Sequence, residues 1–221
     1  MSTDARFNPQ PGDKRLWGTT TVAVECKDGV VLATDTRVVA GYYMVAHKHG
    51  KKVHKIDDHM AITISGGVAD AQAIVDFLRV QARLHRMTRG FPLQVHSAAS
   101  LVSNVLFNNR IAPLAVQLIL AGLDRHGARI YQIDPFGGAT RERFVSTGSG
   151  SPVAIGYLEA VVNGEMTVEK AIPLSIQAIN VAMKRNTATG NDFDISTITE
   201  KGYTELSAVE KEAYLQSAGG R

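Results

Sequence analysis

Thr19 follows Gly18, and that pair could hold an enzyme nucleophile inside a peptide bond. Cleavage between the two would give one residue both a side-chain hydroxyl and a free α-amine. An α-amine titrates near ~7.7–8.0, against ~10.4 for lysine, so it can act as a base near neutral pH. A threonine activated by its own amine is one solution to the weakness of a hydroxyl nucleophile. Gly18 suits such a processing site, because glycine leaves the backbone free to take a strained turn and crowds nothing. The plain alternative is that Thr19-Thr20-Thr21 are β-branched residues opening a strand.

Further along the chain stand other groups that could do chemistry, each with a plainer reading. Asp35 closes Val30-Val31-Leu32-Ala33-Thr34-Asp35, where a strand-end acid ordinarily caps a turn. Lys51 and Lys52 belong to the basic stretch His47–Lys55, which reads as a solvated rim or a nucleic-acid patch. Gly66-Gly67 follows an apolar run; a backbone N–H there could approach a developing oxyanion closely, or the pair could simply turn a strand into a helix. Ser149, in Gly148-Ser149-Gly150, reads as a loop or a helix N-cap. Val38, Ile64 and Val68 are apolar residues of the kind that fill cores. Cys26 stands alone, so no internal disulfide can form, and a lone cysteine in a strand behaves as a small apolar residue.

The elements that must position these groups follow from periodicity and turn residues. Strands are expected at about 19–26 and 29–35, joined by Lys27-Asp28-Gly29, where Asp-Gly signals a hairpin. A third strand is expected over 42–46 and 52–56, and a fourth over 60–65. Val68, Ala71, Ile74, Leu78 and Val80 then recur at helical spacing. A second helix runs from about Pro92 or Leu93 to Asn109, and strands follow at 114–122, 128–133 and 142–147. Helices fit 150–163 and 167–185, a strand pair fits 194–199 and 203–206, and a short helix fits Ala208–Gln216. This order suits an α+β layered domain better than a parallel doubly wound sheet. No internal repeat or long linker divides the chain.

With 221 residues, 44% of them hydrophobic, the chain can bury a substantial core as one domain. No apolar run approaches the ~18–20 residues that cross a bilayer. Residues 1–18 mix acidic, basic, Pro and Gly residues without an apolar centre, so they read as a short pro-segment and not a secretory signal. A net charge of +3 argues for neither a membrane nor a nucleic-acid partner. A nucleic-acid module built on residues 47–55 would need salt-dependent binding, and no stacking aromatics accompany that segment.

Taken in order, Gly18-Thr19, Asp35, Lys51-Lys52-Val53, Ile64-Ser65-Gly66-Gly67, Ser146-Thr147-Gly148-Ser149-Gly150 and Lys184-Arg185-Asn186-Thr187-Ala188-Thr189-Gly190 resemble β-subunits of the proteasome core particle, especially the archaeal type. The resemblance covers roughly residues 18–206. It implies a four-layer αββα sandwich of two antiparallel sheets between helical layers, the N-terminal nucleophile hydrolase fold. It also implies a propeptide over 1–18, a catalytic domain over 19–206 and a tail over 207–221.

The resemblance assigns roles as well. Thr19 becomes the nucleophile of a threonine endopeptidase, released by self-cleavage, and Lys52 a buried ammonium beside it. Asp35 pairs with Lys52, and Gly66 offers its N–H to the oxyanion. Ser149 touches the Thr19 amine, with Asn186 and Thr189 nearby. Val38, Ile64 and Val68 become walls of an apolar specificity pocket, favouring cleavage after bulky hydrophobic residues. The lysine lies one position further from Thr19 than the family pattern has it. Lys51 would keep the raw spacing, but Lys52 is the one followed by an apolar residue, Val53. Asn186 departs further, because the family has an aspartate there, and asparagine keeps an acceptor oxygen but loses the charge. Thr189, where the family has serine, keeps the hydroxyl. The implied partners are α-subunits and other β-subunits in stacked heptameric rings, with unfolded polypeptides fed by a regulatory ATPase in the cytoplasm. No cofactor, metal, membrane or nucleic acid is expected. Asn186 also admits an unprocessed structural subunit of the same ring.

Overall fold

Cys26 stands opposite Gly29 across the Lys27-Asp28 turn, and the strands on either side, β1 (Thr21–Cys26) and β2 (Gly29–Asp35), form an antiparallel hairpin buried along almost its whole length. The computed structural model describes residues 18–40 and 44–218. The expected pro-segment up to residue 17 and part of the expected strand at 42–46 lie outside the described residues. Around β1 and β2 grows a five-stranded sheet in the order β10-β1-β2-β11-β12, with β10 at Phe144–Thr147, β11 at Phe193–Thr199 and β12 at Gly202–Glu205. A second five-stranded sheet is a plain meander: β5 (Val53–Asp57), β6 (Met60–Gly66), β7 (Val116–Asp124), β8 (Gly127–Ile133) and β9 (Ala139–Glu142). Every pairing is antiparallel.

The strand alternation divides the core into three layers. Residues such as Ala23, Leu32, Val53, Ile119 and Val145 meet between the sheets. On the far face of the meander, Ile62, Leu118 and Leu120 pack against α1 (Val68–Arg89) and α2 (Val95–Asn108). The far face of the first sheet, with Val22, Val31 and Ile195, packs against α3 (Ser151–Val161) and α4 (Val168–Arg185). Helices, sheet, sheet, helices: the order is the expected αββα sandwich. The final helix, α5, spans Ala208–Ala218.

Three expected strands differ in the structure. Where one strand was expected over 42–46 and 52–56, the chain forms two that never share a sheet. Met44–His47 (β4) pairs with Val38–Ala40 (β3) in a separate two-stranded ribbon, and β5 enters the meander. The break is made at Gly50, whose N–H donates to Thr36 O and whose missing Cβ leaves room for Val38. The expected strand at 142–147 is also two, with Arg143 carrying the chain from the edge of one sheet (β9) to the edge of the other (β10). Finally, β1 starts at Thr21, so Thr19 and Thr20 stand just outside the ladder.

Ile119 is fully buried in the layer between the sheets. Ile119→Ala should therefore cost about 2–5 kcal/mol in denaturant unfolding of the chain. A loss below about 1 kcal/mol would mean that this layer is not close-packed.

Candidate active site

Strand and helix ends on one edge of the sandwich supply every polar group of the candidate site. Asp35 is the last residue of β2, Lys52 the residue before β5, and Gly66 the last of β6. Ser149 lies in the turn from β10 to α3, and Asn186, Thr189 and Gly190 lie between α4 and β11. A sandwich edge suits such a cluster, because side chains at strand ends can converge without breaking a ladder.

Asp35 is completely buried, and four donors satisfy its carboxylate. Oδ1 accepts from Thr20 N at 2.8 Å and from Lys52 Nζ at 2.7 Å. Oδ2 accepts from Arg37 N at 3.1 Å and from Gly190 N at 3.0 Å. Lys52, only 4% exposed, donates a second bond to Arg37 O at 2.6 Å. Burial pushes the Lys52 ammonium below the ordinary lysine range, and the Asp35 charge and hydrogen bond oppose that push. The neighbouring Lys51 is half-exposed and pairs with Glu205. Of the two lysines, Lys52 is thus the one buried against Asp35. Lys51 and Lys55, from the basic stretch, both carry acidic partners, Glu205 and Asp58.

Thr19 is almost wholly buried, and its hydroxyl donates to the carbonyl oxygen of Gly18. Its N–H points to Ser149 Oγ at 3.4 Å, and its carbonyl accepts from Gly150 N at 3.3 Å. Ser149 does not cap α3: the N-cap residue is Gly150, without a side-chain bond. Ser149 Oγ instead donates to Asn186 Oδ1 at 3.1 Å. That oxygen also accepts from Ala188 N at 3.0 Å and Thr189 Oγ1 at 3.1 Å. Thr189 Oγ1 in turn meets Thr20 Oγ1 at 2.7 Å. Asn186, Thr189, Ser149 and Thr19 therefore form one hydrogen-bonded chain, and Thr20 joins it to Asp35.

Glycines make this approach possible. A Cβ on Gly148 (φ 91°) would lie 2.2 Å from Thr19 O and 2.9 Å from Ser65 Oγ, and one on Gly150 would lie 2.0 Å from Thr20 Oγ1. Gly18 is pressed against Ala188 and Val39, so its lack of a side chain is a matter of space more than of turn freedom. Gly66 has φ 122°, with the Ala115 carbonyl where a Cβ would stand. It closes β6 on the same edge.

The three apolar candidates sit on three different elements. Ile64 belongs to the core beneath α1 and α2, Val68 is half-exposed at the start of α1, and Val38 lies partly buried on β3. Cys26 is buried, and burial beside Asp28 and Glu25 pushes its thiol up to about 12, so it stays a protonated apolar filler.

Arg37, two residues past Asp35, belongs to its neighbourhood already by sequence, but no motif gives it a role there. Its backbone serves Asp35 and Lys52, and its side chain donates to Asn191 Oδ1 at 3.0 Å and Thr187 O at 2.5 Å. The guanidinium lies over Gly190, where an added Cβ would stand 2.6 Å from it. Asn191, at φ 66°, takes the left-handed conformation that this clamp closes over. The one available hint was spacing: an Asp accepting from the N–H two residues on is a common turn. Among the described residues, no three His, Cys, Asp or Glu side chains converge to hold a metal, and no helix is long and apolar enough to cross a membrane. A cavity of about 510 Å³, lined by residues such as His59, Phe91 and Leu123, opens at the opposite strand ends and includes none of the candidate residues.

Comparison with known proteins converges on one family. Residues 17–198 match the family described as proteasome subunit. A proteasome subunit beta of Methanothermobacter thermautotrophicus is 46% identical over 196 residues, covering 88% of this chain and 93% of that protein. One from Ferroglobus placidus is 45% identical over 92% of this chain and 97% of its own length. The proteasome subunit beta 2 of Nitrosopumilus maritimus is 41% identical with the same coverage, 92% and 97%.

Asp35→Asn would leave the Lys52 ammonium buried without its counter-charge. It should destabilise the chain by about 3–5 kcal/mol in chemical denaturation. A loss under about 1 kcal/mol would place Lys52 in a wetter setting than its burial indicates.

Proposed function

The chain belongs to the proteasome subunit family, as a β-type member that assembles with other subunits, and on that premise we propose that it is a threonine endopeptidase which releases its own nucleophile at Gly18–Thr19. The observation that carries the proposal is the Thr19 hydroxyl resting on the Gly18 carbonyl, in the same polar cluster as the buried Asp35–Lys52 pair. Attack of that oxygen on the Gly18 carbonyl carbon converts the peptide into an ester while the Thr19 nitrogen takes up a proton. That shift already frees the α-amine; hydrolysis of the ester by water then releases the preceding segment with a Gly18 carboxylate and restores the Thr19 hydroxyl.

Once free, the amine accepts the hydroxyl proton as Thr19 attacks a substrate carbonyl, and returns it to the leaving nitrogen. Water then hydrolyses the acyl-enzyme. Lys52 commits two of its three N–H groups to Asp35 and Arg37. The third is available to the Thr19 oxygen, where a positive charge favours the alkoxide. Ser149 and Asn186 orient the amine, Thr189 ties that chain to Thr20, and the Gly66 N–H receives the oxyanion. Val38, Ile64 and Val68 bias cleavage toward bulky apolar residues. The subunit works within stacked heptameric rings of α- and β-subunits in the cytoplasm. There it degrades unfolded polypeptides delivered by a regulatory ATPase.

Asn186 favours a second reading, an unprocessed structural subunit. Its Oδ1 collects three donors, as a carboxylate oxygen would, but it brings no charge to offset the Thr19 amine and Lys52. The intact mass and N-terminal sequence after co-assembly with α-subunits separate the two readings. A new N-terminus at Thr19 is expected, and a chain uncut at Gly18 in assembled particles would establish the structural role. Asn186→Asp should raise the processing rate or turnover by about tenfold, the equivalent of roughly 1.4 kcal/mol; no increase in either would remove Asn186 as the limiting residue. Since burial lowers the Lys52 pKa, activity should fall on the alkaline side before the ordinary lysine value of ~10.4. A profile flat through that value would count against a charged Lys52 in the mechanism.

A further inference from the structure

The C-terminal helix reaches the candidate site from behind. It opens with a reciprocal cap in which Ser207 donates to Glu210 Oε2 through both its N–H and its hydroxyl, each at 2.7 Å. Leu206 and Tyr214 pack on the core beneath α3 and α4. From the first turn, Lys211 Nζ donates to Phe193 O at 2.6 Å and to Asp194 Oδ1 at 2.8 Å. It also lies 4.0 Å from Asp192 Oδ2 and 5.6 Å from the centre of the Phe193 ring.

These contacts fall where β11 begins. Phe193 stands opposite Asp35 in the sheet register, and Asp192 O accepts from the Thr36 N–H at 3.0 Å. Two residues earlier, Gly190 N–H donates to Asp35 itself. The strand end that Lys211 grips is therefore the one that frames Asp35. The Lys211 side chain is only 17% exposed and holds a carbonyl, a carboxylate and a ring face together, which a surface ion pair does not do.

We propose that α5 is a strap on the candidate site, with Lys211 the positioning residue that holds residues 192–194 against Asp35 and so keeps the Asp35–Lys52 pair in place. The strap itself rests on contacts; its effect on turnover rests on the Thr19-centred reading above. The charges point the same way. Lys52 faces Asp35 from β2, Arg37 from the turn after it and Asp194 from β11, and the Asp194 charge favours the protonated lysine. Lys211 offsets that charge, so its loss would move the Lys52 titration upward.

The test uses full-length chain co-assembled with α-subunits, as wild type, Lys211→Met and Lys211→Arg. Hydrogen exchange of peptides covering 31–37 and 190–197 is measured beside kcat, KM and the pH profile for a fluorogenic peptide. Lys211→Met should speed exchange in both peptides about tenfold. It should lower kcat about 3- to 10-fold with KM little changed, and carry the alkaline limb to higher pH. Lys211→Arg should restore all three. Unchanged exchange in Lys211→Met overturns the strap. Faster exchange with an unmoved kcat and alkaline limb overturns the positioning role. A wild type that never exposes Thr19 refutes the peptidase reading instead, and exchange alone then decides the strap.

Discussion

Four donors from four separate parts of the chain converge on the carboxylate of Asp35: Thr20 N, Arg37 N, Lys52 Nζ and Gly190 N. An acid with no exposed surface is costly to ionise unless its charge is answered, and the same holds for the ammonium facing it. Neither member of the pair is stable in that place without the other. The sandwich edge must bring them together, and the turns on either side must aim their N–H groups inward. Thr19 is held at the mouth of this arrangement because the very next N–H, that of Thr20, is one of the four.

A second network meets the first at Thr20. Asn186 gathers Ser149, Ala188 and Thr189, and Thr189 passes the connection to the Thr20 hydroxyl. The two networks differ in kind: one buries charge, the other sets neutral polar groups beside the Thr19 N–H, which points to Ser149 Oγ. The Asn186 side chain accepts as many bonds as an aspartate oxygen would, so the geometry survives without the charge. Geometry alone thus tolerates asparagine, and only the local electrostatics register the missing charge.

Space sets a further constraint. Gly18, Gly148 and Gly150 each stand where a side chain would collide with the neighbouring segment. A serine between two glycines reads in isolation as a flexible loop, yet here the glycines are close-contact surfaces and the serine, though exposed, is tied to Asn186. Gly18 is similar: conformational freedom is the obvious reading of a lone glycine, and the packing of Ala188 and Val39 against it supplies a steric one.

Hairpin turns, helical stripes and the α+β order were legible from the amino-acid sequence, because turn chemistry and periodicity are local. The candidate residues Thr19, Asp35, Lys52, Ser149, Asn186 and Thr189 were legible too, through the order in which their short motifs follow one another. Partnership was not legible. Residues 142–147 read as one unbroken strand, and only the pairing partners show that Arg143 divides it between two sheets. Lys51 and Lys52 are identical in type and adjacent in the chain; just ahead of β5 their side chains part, so one meets Glu205 in solvent and the other meets Asp35 in the interior. The neighbourhood of Arg37 was legible beside Asp35 but its role was not, since its side-chain contacts lie about 150 residues away along the chain. Local order determined which elements form and which residue types they carry. The burial of one charge pair between distant strand ends was decided only when the sheets came together, because an unanswered charge gains its cost only where water is excluded.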